Sequence, residues 1–87
     1  MWYYNVHYKL IIINEMLPQN IERIISYGGG VSIDSSRYIP SSLERFAAFA
    51  STSGATLILR NCNNLLPSSM ERIAAYGKGR VIFELDN

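Results

Sequence analysis

The sequence predicts an α/β fold: three β-α repeats plus a closing strand, forming a four-stranded parallel sheet with helices on one face. Three observations predict it. A segment recurs as Leu17–Ile24, Ile39–Phe46 and Leu66–Ile73, each with proline second and a Glu-Arg pair before its last residue. An apolar stretch follows each copy, at Val31-Ser32-Ile33, Leu57-Ile58-Leu59 and Val81-Ile82-Phe83, and a fourth, Ile11-Ile12-Ile13, precedes the first proline. The starts Ile11, Val31, Leu57 and Val81 lie 20, 26 and 24 residues apart. That spacing holds the crossover of about a dozen residues that parallel strands need.

The chain 1–87 reads as one domain, with an N-terminal cap segment at 1–9, repeats at about 10–30, 31–54 and 55–79, and a closing strand at 80–85. Proline at 18, 40 and 67 marks the helix starts, because its φ is preset and its missing N–H is not needed there. Ser41-x-x-Glu44 and Ser68-x-x-Glu71 read as capping boxes, with Ser41 and Ser68 as N-caps and proline just outside. Gln19 stands in the first copy, which should start less sharply. Apolar residues at the third, sixth and ninth places after proline make one face: Ile21, Ile24, Tyr27; Leu43, Phe46, Phe49; Met70, Ile73, Tyr76. Gly28 and Gly77 fit left-handed C-caps, and the middle helix stops less cleanly through Ser51–Gly54. Helices of about ten residues are marginal alone, so packing on the sheet must hold them.

Composition narrows the function. The 87 residues are 48% hydrophobic and 17% charged, which excludes a disordered tail. A net charge of +1 argues against a strongly basic nucleic-acid binder. A single cysteine, Cys62, excludes an internal disulfide framework. The longest aliphatic run, Leu10–Ile13, is far short of a membrane span, and Met1–Asn5 does not read as a signal peptide, so the expected location is cytoplasmic.

The segment Leu57-Ile58-Leu59-Arg60-Asn61-Cys62-Asn63-Asn64-Leu65 resembles a leucine-rich repeat of the cysteine-containing type. Leu57, Leu59, Cys62 and Leu65 fill its L-x-L-x-x-C-x-x-L places. Val31, Ile33, Ser36 and Ile39 fill them one unit earlier, with Ser for Cys. The first unit is about two residues shorter. The resemblance spans about Leu10 to Glu84, in short and degenerate repeats: the leucine expected before each strand is replaced by Gly28, Gly54 and Lys78. It implies a protein-binding scaffold rather than a chemistry, with Cys62 buried beneath its loop.

No enzyme is expected. His7, the one histidine, lies 55 residues from Cys62, and one His with one Cys cannot close a zinc site, so neither a metal nor another cofactor is expected. Gly28-Gly29-Gly30 runs from helix into strand, the reverse of a phosphate-binding loop. Arg23, Arg45 and Arg72 recur at one helical position. They read as inter-helix partners of Glu22, Glu44 and Glu71, or alternatively as a row for phosphate or an acidic partner.

Strand alternation leaves Ile12, Ser32, Ile58 and Ile82 in one row on the face away from the helices, flanked by Asp34, Arg60, Arg80 and Glu84. Three isoleucines on an open face mark an interaction surface with a polar rim. The expectation is therefore a non-enzymatic protein–protein interaction module, in its more specific version a small bacterial or phage inhibitor or immunity protein. Ile12, Ser32, Ile58, Arg60, Ile82, Glu84, Trp2 and Tyr4 would bind a protein partner, or a second copy in a homodimer. The alternative is nucleic-acid binding through the Arg row and the N-terminal aromatics.

Overall fold

The computed structural model describes residues 10–13 by their backbone and residues 16–85 in full. Strand β1 (Leu10–Ile13) is followed by α1 (Pro18–Ser26), β2 (Gly30–Asp34), a 3-10 turn (Ser35–Arg37), α2 (Pro40–Ser53), β3 (Leu57–Arg60), a second 3-10 turn (Cys62–Asn64), α3 (Pro67–Gly77) and β4 (Val81–Phe83). The strands pair in chain order and in parallel. Register places Ile12 beside Ser32, Ser32 beside Ile58, and Ile58 beside Ile82.

The expectation of a four-stranded parallel sheet with helices on one face is corrected. The packed parallel layer has three strands, β2, β3 and β4, against which α1, α2 and α3 respectively pack. Each unit is a helix followed by its own strand. Among the described residues no helix precedes β1, which pairs by its backbone along β2. The closing strand is also shorter than the expected 80–85, covering Val81–Phe83. The cap segment 1–9, with Trp2, Tyr4 and His7, lies outside the described residues.

The helix starts differ from the capping-box reading. Leu17, Ile39 and Leu66 are the N-caps, proline occupies the first turn, and no side chain caps any of the three helices. Proline opens the helix itself, so Ser41 and Ser68 already lie inside it. The ends differ as well. α2 stops cleanly at Gly54, φ 84°, and α3 runs through Gly77 to a left-handed Lys78, φ 49°.

The buried helix face is also rotated from the expected one. Ile21 and Ile25 of α1, Leu43, Phe46, Ala47 and Ala50 of α2, and Ile73 and Gly77 of α3 are buried. The aromatics at the ninth place after proline sit at the rim instead, Tyr27 being 83% exposed. At about 3.6 residues per turn, steps of three drift about 60° each, whereas steps alternating three and four stay on one face. These helix faces close over Val31, Ile33, Leu57 and Leu59, all fully buried.

Candidate protein-binding face

The row opposite the helices begins as register, not as exposure. Ile12, Ser32, Ile58 and Ile82 are successive Cα partners across the sheet. Ile58 is half-buried and Ile82 is 48% exposed. Ser32 is only 5% exposed. Arg60, half-buried, reaches its Nη2 to within 3.5 Å of the Ser32 carbonyl oxygen, a long hydrogen bond. Glu84 is exposed at the end of β4. The structure thus brings Ser32, Ile58, Arg60 and Ile82 together. The side chain of Ile12, and Trp2 and Tyr4 entirely, lie outside what it describes.

A polar cluster that the sequence reading missed ties two repeats together beyond the strand ends. Asp34 caps the first 3-10 turn: its Oδ1 accepts from the Ser36 N–H at 3.0 Å and the Ser36 hydroxyl at 2.6 Å. The Asn61 amide donates to Ser36 Oγ at 3.2 Å and, more distantly, to Asp34 Oδ1 at 3.4 Å. Asn61 is left-handed, φ 60°, and is the extra residue between β3 and its turn. Because of it, Ser35 rather than Ser36 takes the buried place beside Cys62, with Oγ 3.7 Å from Sγ. The Asp-x-Ser spacing of a local cap was the one signal for this cluster in the sequence.

The Ser36 hydroxyl holds the Asp34 carboxyl below its ordinary value; burial opposes this, while the Ser36 N–H, Asn61 and Arg37 reinforce it. A depressed carboxyl pKa stabilises the fold above the unfolded value, 3.8, and loses that contribution as pH falls through the folded value. Asp34→Ala should therefore cost about 1 kcal/mol at neutral pH. The difference from wild type should shrink as pH falls through the carboxyl's lowered folded value, as read by urea unfolding across pH. A difference unchanged by acid would exclude the carboxylate as its source.

Burial pushes the Cys62 thiol up, and its Sγ donates to the Leu59 carbonyl at 3.1 Å. It is packed as an apolar thiol. Among the described residues no group of three or more His, Cys, Asp or Glu could hold a metal ion, and no helix is long and apolar enough to cross a membrane.

The arginine row is interleaved with carboxylates of the preceding helix. Arg45 clasps Glu22 of α1 through Nε at 2.9 Å and Nη2 at 3.1 Å, while its guanidinium lies 5.9 Å from the Phe49 ring centroid. Arg72 Nε stands 3.3 Å from Glu44 of α2. Glu44 is thus drawn to the next helix rather than back to its own N-terminus. Compared with protein-family models, curated proteins and solved structures, the chain matches none.

Proposed function

We propose that this protein is a non-enzymatic binding module whose sheet face, centred on Ile58 and Ile82, takes a protein partner. The observation that carries the reading is the register row itself. It aligns Ile12, Ser32, Ile58 and Ile82 across consecutive strands, with Ile82 half exposed and the charged Arg60 and Glu84 beside it. An apolar centre with a polar rim is the anatomy of a protein interface. The likeness to a leucine-rich repeat adds support: Leu57, Leu59 and Cys62 are buried and Leu65 packs against the same core. Blocking a partner by covering its surface, as an inhibitor or immunity protein does, needs nothing beyond such a face. The nucleic-acid alternative is weakened, since two of its three arginines, Arg45 and Arg72, are each engaged by a glutamate.

Ile82→Asp tests the face directly. The partner is captured by a photo-cross-linker at position 58 or 84 in the cells that make the protein, then its affinity for each variant is measured. Ile82→Asp should weaken it by about thirtyfold, a hot-spot loss, with an unchanged far-ultraviolet circular dichroism spectrum. Undiminished affinity in a folded variant would remove this face from the reading.

A further inference from the structure

The helix layer carries half of a joint at each end, and the two halves fit each other. The glutamate four places after proline is 15% exposed in α1 (Glu22) and 17% exposed in α2 (Glu44), each tucked under an arginine of the next helix. The corresponding Glu71 of α3 is exposed. The place three further on behaves alike: Ile25 and Ala47 are fully buried, and Ala74 is exposed. Ala47 lies next to Gly77 of α3. α3 therefore presents, uncovered, the side on which α1 and α2 each receive the next helix.

α1 presents the opposite half. Arg23 corresponds to Arg45 and Arg72, yet makes no ion pair among the described residues. Ile24 is half-buried where Phe46 and Ile73, its counterparts, are fully buried. With Met16, Asn20, Arg23 and Tyr27 it lines an open hollow. Tyr27 is exposed where its counterpart Phe49 is half-buried beneath Arg45.

We propose that a second copy of this chain docks head to tail, α1 of one copy against α3 of the next, with Arg23 clasping Glu71 as Arg45 clasps Glu22. Charge sign and the apolar seat at Ile24 match the joints already made within the chain, and Ala74 takes the place Ala47 holds in the α2–α3 joint; because β1 already lines β2, the contact runs between helices and does not continue the sheet. Both halves lie on one molecule, so each copy offers one of each. Such a heterologous contact does not close on itself in a dimer and propagates into longer stacks. This joint lies in the helix layer and leaves the Ile58–Ile82 face open.

The test is the solution mass across a dilution series, at low and high salt, with reversed charges. Wild type should exceed the mass of two chains at high concentration and shrink with added salt. Arg23→Glu and Glu71→Arg, each at an exposed site, should each weaken association at least about tenfold by setting like charges together. Mixing the two variants, or combining both substitutions in one chain, should restore it. A wild type that stays at one chain mass throughout overturns the proposal. So does a mass that stops at two chains and survives Arg23→Glu but is lost in Ile82→Asp, which would instead place self-association on the sheet face.

Discussion

Phe46→Ala should lower the unfolding free energy by about 3–5 kcal/mol, the usual cost of deleting an enclosed phenylalanine. Among the described residues Phe46 is the largest fully buried side chain, and it sits in the middle helix, with α1 on one side and α3 on the other. Its ring meets Tyr38 edge-on, centroids 5.5 Å apart at 79°. Tyr38 is itself anchored by its hydroxyl, which donates to the Met16 carbonyl at 2.8 Å. The ring therefore joins the core to the turn after β2 and to the segment leading into α1. Its removal strips the transfer free energy of the ring and leaves a cavity that three packed helices cannot collapse to fill. A small domain holds roughly 5–15 kcal/mol in total, so one such loss should bring the variant close to the edge of folding. Urea unfolding gives the number. The midpoint should fall sharply while the slope stays the same, because the surface exposed on unfolding is nearly unchanged. A loss below about 1 kcal/mol would mean that Phe46 is not enclosed as described.

Gly77→Ala should destabilise the protein by about 1–3 kcal/mol, against the sign that helix propensity alone gives. Gly77 is the last residue of α3, and alanine is ordinarily preferred to glycine in a helix by about 1 kcal/mol. A Cβ at this position would overlap Cγ2 of Val81 and come within 3.5 Å of Cβ of Ala47. Here α3 approaches both α2 and its own strand β4, and the crowding term outweighs propensity. Trimming the opposing side chain should recover part of the loss, so Gly77→Ala combined with Val81→Ala should be less destabilised than the two single effects added together. Gly54→Ala is the contrast. Nothing lies within 4 Å of a Cβ there, and its cost, about 1 kcal/mol, should come from the positive φ of 84° alone. Thermal melting of the four variants separates the two causes. Additive losses in the double variant would show that Val81 is not the obstacle.

Much of the architecture was legible because it depends on local pattern repeated in order. Proline placement and the Glu-Arg pairs located three helices, and the two-residue alternation located the strands and the identity of the row Ile12, Ser32, Ile58 and Ile82. Two details came out differently. Glu44 was read both as a capping-box partner of its own helix start and as a partner for an arginine of another helix, and it is Arg72 of the next helix that it meets. Ser36 was aligned with Cys62 by counting, and the left-handed Asn61 shifted the buried place to Ser35.

The sequence by itself determined the order of elements, the parallel register and the absence of a disulfide, because each follows from residue spacing or composition. Only packing between distant segments settles that three helix–strand units make the packed layer, which helix each glutamate leans toward, and which ends of that charge ladder stay unfilled. Those outcomes depend on distances between segments some 25 residues apart in the chain, such as the 2.9 Å contact of Arg45 with Glu22. Neither propensity nor periodicity, which act over one or two turns, carries that information.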